Sequence, residues 1–107
     1  MTAEDFAQAC KAERDLRLAL YLDPNSGTEV ANLCRRALLT PEQSVHVQAA
    51  LGCALTDTFY AMLLALDGCA SLGGSQQPYI LKDEFGNIVS SGDGSLELAA
   101  WEAFHSL

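Results

Sequence analysis

The chain has 107 residues, half of them hydrophobic, and its 6 basic residues face 14 acidic ones for a net charge of −8. Such a length holds one domain, residues 1–107, with one modest core, and the apolar content excludes a disordered tail. The shortage of Lys and Arg argues against nucleic acid as a partner, because that binding rests on neutralising phosphates.

The opening MTAEDFAQAC lacks the basic-then-apolar pattern of a secretory leader, so the expected location is cytoplasmic. A first helix is expected over Ala3–Leu22. Thr2 is its N-cap, and Glu4 and Asp5 lie at the positive end of the dipole. Phe6, Ala9, Leu16 and Leu20 mark the apolar stripe. Lys11, Arg14, Asp15 and Arg17 alternate in sign along what reads as a solvated face. Pro24 stops the helix, and DPNSG is turn chemistry. Ser26 and Glu29 then form an S-x-x-E capping box. The second helix they open carries Val30, Leu33, Cys34, Ala37 and Leu38, with Arg35 and Arg36 at the negative end of its dipole.

The stretch Thr40–Gly74 organises the rest. Thr40, Pro41 and Gln43 mark a helix start with a capping box, and Val47, Leu51, Leu55, Thr58, Met62, Leu66 and Cys69 repeat at spacings of three and four. Phe59–Leu66 is the longest uncharged apolar run. Unbroken, this element would extend about 45 Å at 1.5 Å per residue, whereas a domain of this length has a radius of gyration of roughly 13 Å. A break or bend is therefore expected at Gly52 or at Thr56-Asp57-Thr58, with Gly73 and Gly74 ending the helix. The apolar run is far shorter than the ~20 residues a bilayer crossing needs, so a buried core helix and no membrane are expected.

Beyond a loop at Gly73–Pro78, Tyr79–Lys82 and Ile88–Ser90 read as two strands joined by Asp83–Asn87, with Gly86 at the positive φ of the turn. Pro78 suits an edge, and Tyr79 and Leu81 are the face expected to lean on the central helix. Ser91–Gly94 turns the chain into a last helix capped by Asp93 or Ser95. Leu96, Ala100, Ala103 and Leu107 form its stripe, and Trp101 and Phe104 beside it are assigned to the core. The fold class is thus α+β, mainly helical: three to five helices around a central hydrophobic helix, with one two-stranded β-hairpin before a C-terminal helix.

Chemistry is harder to find. The four cysteines, Cys10, Cys34, Cys53 and Cys69, have no close-spaced pair of the kind zinc sites use, and read as small hydrophobes within helices. Glu42, His46, Cys53, Asp57, Tyr60, Asp67 and Ser71 thread one side of the central helix. That line is either a pocket wall or a plain solvent face, and charges normally lie opposite the apolar stripe. Asp57 and Asp67 are too far apart along the axis to share a proton. No catalytic set stands out, and no metal or cofactor is expected.

Charge is the clearest signal. Up to Arg36 the balance is −1, five basic residues against six acidic; beyond it only Lys82 opposes eight acids, for −7. An acidic surface of this kind attracts a basic partner and speeds encounter with it, or serves solubility alone. The segment Phe59–Asn87, with its LDGCASLGG, Gln76-Gln77 and LKDEFGN, resembles small acidic bacterial immunity proteins, over about a quarter of the chain. The resemblance implies a non-enzymatic module that occludes a basic toxin, with Asp83, Glu84, Asp93, Glu97 and Glu102, and also Asp57 and Asp67, as its partner-binding carboxylates. Two other classes compete with it. One is a homodimeric structural or regulatory domain; the other is a small-molecule or enzyme domain with a pocket between the His46–Asp67 line and the Gly73-Gly74 loop.

Overall fold

Thr2 and Asp5 exchange hydrogen bonds, each side chain accepting the other's backbone N–H at 3.1 Å, and so open α1 (Ala3–Leu22) with a full capping box. The computed structural model describes residues 1–106. Within them the order is α1, α2 (Glu29–Arg36), α3 (Pro41–Leu66), β1 (Leu81–Lys82), β2 (Ile88–Ser90) and α4 (Ser95–His105), which is the α+β, mainly helical architecture with a hairpin before the last helix.

Local chemistry sets most boundaries, though not always with the expected residues. The cap of α2 is Thr28, whose hydroxyl accepts from the Ala31 N–H, and not Ser26. Ser26 is already engaged, its hydroxyl donating to the Leu20 carbonyl at 2.6 Å at the end of α1. Leu38 follows α2 with φ +52, a left-handed conformation costly for a residue with a Cβ. For α3 the Thr40–Gln43 box with Pro41 forms as expected.

No break interrupts α3. It continues unbroken through 26 residues, about 39 Å at the standard rise. The molecule lengthens instead, to 46 × 29 × 28 Å with a radius of gyration of 16.3 Å. Gly52 is buried beneath Arg14 and Leu18 of α1, and a Cβ there would sit 3.2 Å from the Arg14 guanidinium. It is a point of close helix approach and not a hinge. Arg14, expected on a solvated face, reaches across to α3 and donates to the Gly52 carbonyl and the Thr56 hydroxyl. Leu16, expected on the stripe, is half exposed; the inward side of α1 is Ala3, Ala7 and Cys10.

The helix ends at Leu66, well before Gly73. Gly68 takes φ +76, its N–H donates to the Ala65 carbonyl, and the Cys69 N–H donates to the Leu64 carbonyl at 2.9 Å. These two bonds are a Schellman ending, which glycine favours. Gly73 and Gly74, both at positive φ, make a separate tight turn closed by the Leu72–Ser75 backbone pair. Cys69 therefore lies outside any helix.

The core joins three helices: Ala3 and Ala7 of α1, Leu63 of α3, and Leu96, Ala99 and Ala100 of α4, with Phe6, Leu66 and Phe104 packed around them. It covers only the second half of α3. Of that helix just Gly52, Leu63 and Ala65 are buried, so the expected fully wrapped core helix is wrapped at one end. By length and composition alone α3 also passes as a membrane span.

In the hairpin, Leu81 pairs with Ser90 and Lys82 with Ile88. The irregularity this register creates turns Val89 and Ser90 both inward, where both are buried. Gly86 holds the expected positive φ. β2 rests on α1 and α4 rather than along α3, and the preceding segment is tied to α3 by the Tyr79 N–H to the Leu66 carbonyl. Pro78 does not begin a strand. It is clamped between Gly68 and Gly92, where added Cβ atoms would come within 3.0 Å and 2.6 Å of it. Leu107, the last member of the expected α4 stripe, lies outside the described residues.

Candidate functional site

Two of the carboxylates assigned to a partner are engaged by groups of this chain itself. Asp67 is 2% exposed. One of its oxygens accepts from the Ser90 hydroxyl and the Gly94 N–H, and the other accepts from the Glu97 N–H at 2.9 Å. Gly94, the N-cap of α4, has no side chain to offer. Asp67 supplies the missing cap from the end of α3, satisfying orphan donors of the first turn. Asp83 is the other. It accepts from the terminal ammonium of Met1 at 2.9 Å and from the backbone N–H groups of Phe85 and Asn87. The ammonium, above all, holds this carboxyl well below the usual range. Asp67 is thus closed off from solvent, whereas Asp83 stays at the surface in an ion pair.

The other five remain outside. Asp93 accepts from both the hydroxyl and the N–H of Ser95, which lowers its pKa. Glu84, Glu97, Glu102 and Asp57 are exposed. Of these, Glu97 and Glu102 lie on α4 and share its outer side with Leu98, Trp101 and His105. Trp101, assigned to the core, is 53% exposed, and Leu98 is 60% exposed. The reason is the inner side of α4, where the packed positions are Leu96, Ala99 and Ala100: close helix contact leaves no place for an indole there. Phe104 keeps its expected inward role, stacked on Phe59 at 6.3 Å.

Around Trp101 the aromatics form a built surface. Its ring lies 6.4 Å from Tyr60 and 4.9 Å from His105, and His105 meets Tyr60 edge-on at 4.5 Å. Beside them is a recess of about 360 Å³ lined by Tyr60, Gly94, Glu97, Leu98 and Trp101. Glu97 accepts the thiol proton of Cys69 at 3.0 Å. That bond, with desolvation and the carboxylate's charge, pushes the Cys69 pKa up to about 11. A thiol so held is a poor nucleophile. Desolvation, and then the charge of Glu97, likewise raises the Tyr60 hydroxyl.

The polar line along α3 does not converge. Glu42, His46, Cys53 and Asp57 lie on its open side, Tyr60 is half-buried, Asp67 is internal, and Ser71 is exposed past the helix end. Among the described residues no group of three His, Cys, Asp or Glu side chains is placed to hold a metal. Cys10 and Cys34 are half-buried, while Cys53 and Cys69 are exposed, so the expected burial of all four does not occur. A concavity of about 380 Å³ lies between the end of α1, α2 and the start of α3, lined by Tyr21, Cys34, Leu38 and Val47 among others, away from Gly73-Gly74.

Compared with known proteins, the chain matches no family model, no curated sequence and no solved structure.

Proposed function

We propose that the protein is a non-enzymatic binding module that docks on and occludes a basic protein, in the manner of an immunity protein neutralising a toxin. The observation that carries this reading is the outer side of α4: a half-exposed Trp101, backed by Tyr60 and His105 and flanked by Glu97 and Glu102. Trp is the residue type most enriched at binding hot spots, and rim carboxylates steer a cationic partner and fix its register. The −7 balance beyond Arg36 extends the same field over most of the chain.

The test begins with a basic toxin domain recovered by capture from the native host. One equivalent of this protein should abolish its activity, and Trp101→Ala should weaken the complex about a hundredfold. A partner that binds Trp101→Ala as tightly as the parent chain defeats the assignment.

A second reading, homodimerisation, rests on a separate observation. A compact monomer of 11.4 kDa exposes about 5,800 Å², whereas this chain exposes 6816 Å². The excess, about 1,000 Å², is comparable to one side of a standard interface, ~800 Å². The open side of α3 is the surface available for it. Sedimentation equilibrium should then give twice the 11.4 kDa chain mass, reverting to the monomer in Ala50→Arg.

A further inference from the structure

The recess beside Trp101 has a chemistry narrower than a general affinity for basic proteins. It is lined by Trp101, Tyr60, Leu98 and Gly94, with Glu97 as the one carboxylate residue among them. His105 packs against both aromatic rings but does not line the recess, so it braces them from outside and leaves the cavity side open. Cys69 engages one oxygen of Glu97, Oε2, and so orients the carboxylate, and among the described residues no group engages the second oxygen. The side chain of Glu97 takes no part in capping α4; only its N–H does.

We infer that this recess is a subsite for a guanidinium, the arginine side chain of the partner. This rests on the binding reading above and names the group that reading leaves unspecified. A cation over an indole face is attracted by the ring quadrupole, most strongly for Trp. A planar, weakly hydrated guanidinium stacks on such a face and pairs with a carboxylate at its edge, whereas an ammonium is a compact, strongly hydrated point charge that gains less from a flat apolar wall. Leu98 and Tyr60 supply apolar surface for the three methylenes of the arginine stem. At about 360 Å³ the recess has room for the whole side chain. The field of Glu97 reaches the phenol of Tyr60, across the same cavity.

The chain's single tryptophan is the reporter. N-acetyl-L-arginine amide, titrated into the full chain, should change Trp101 fluorescence saturably in the millimolar range. N-acetyl-L-lysine amide should bind at least threefold more weakly, and the neutral isostere N-acetyl-L-citrulline amide should not saturate. Glu97→Gln should weaken the arginine probe at least fivefold, with circular dichroism unchanged. Glu84→Gln, which removes an equal charge outside the recess, should change it less than twofold. Equal binding of the citrulline probe overturns the inference, and so does equal loss in Glu84→Gln, which would mean diffuse attraction only. A chain that ignores the arginine probe yet still inhibits a captured basic toxin also overturns it, while leaving the broader reading standing. Saturable binding of arginine by a chain with no basic protein partner keeps the subsite and removes that reading.

Discussion

The two halves of α3 have opposite surroundings. Past Phe59 the helix packs one side against α1 and α4, and its end is fixed several times over: by the Schellman bonds at Gly68, by Pro78 clamped between Gly68 and Gly92, and by the Asp67 carboxylate reaching into α4. Before Leu55 the same helix touches α1 through Arg14 and Leu18 at Gly52, and elsewhere leaves Val45, His46, Ala50 and Cys53 exposed. Stability is therefore concentrated at one end, where buried polar groups are satisfied in a closed network. The other end is held more loosely and keeps surface in reserve.

That contrast is broken most severely at Asp67. Asp67→Ala should cost about 3 kcal/mol, because it leaves the buried Ser90 hydroxyl and the part-buried first-turn N–H groups of α4 without their acceptor. The urea midpoint reads the loss, and α4 should lose its protection against hydrogen exchange first. The next effect is chemical. With its pKa raised from 9.0 to about 11, Cys69 carries about a hundredfold less thiolate at pH 8 than an unperturbed cysteine. Iodoacetamide labelling followed by mass spectrometry should show Cys69 alkylated slowly despite its exposure, and faster in Glu97→Gln. The sign for stability follows from the raised folded value: the contribution of this thiol is present below pH 9 and is lost as pH rises from 9 to 11.

Gly92→Ala comes third. Its new methyl would meet Pro78 at 2.6 Å from a backbone at φ +81, a combination of strain and overpacking worth about 2 kcal/mol. The smallest effect belongs to the loose end and has the opposite sign. Leu38 is 86% exposed and left-handed at φ +52, so Leu38→Gly should raise stability by about 1 kcal/mol. A thermal melt that moves upward in Leu38→Gly and downward in Gly92→Ala would confirm which end carries the strain that matters.

Features that depend on neighbours in sequence were legible in the chain itself. Thr2, Thr40 and Gln43 mark boundaries by bonds that close within three residues, Pro24 by lacking the N–H that would continue the helix, and Gly86 by its turn conformation. Asp67 was not legible, because the groups it caps lie 23 to 30 residues downstream. Arg14 reads as a surface charge until α3 is laid beside it, its acceptors being 38 and 42 residues away. Gly52 looks like a hinge for the same reason. Periodicity put Trp101 next to the apolar stripe of α4, but only packing decides which side of that boundary a ring falls on, and close-set alanines push it outward. Charge counting had no means to tell Glu97 and Glu102, which are exposed, from Asp67, which is buried, or from Asp83, which is paired with the Met1 ammonium.

The cap that Asp67 supplies bears on how α4 meets anything else. Because the helix is anchored at its first turn and seated along Leu96, Ala99 and Ala100, the indole it displays is already held in place before any encounter. On the binding reading proposed above, little rotational freedom is left to surrender on association, and the indole is a preorganised prow that a partner would meet without rearrangement.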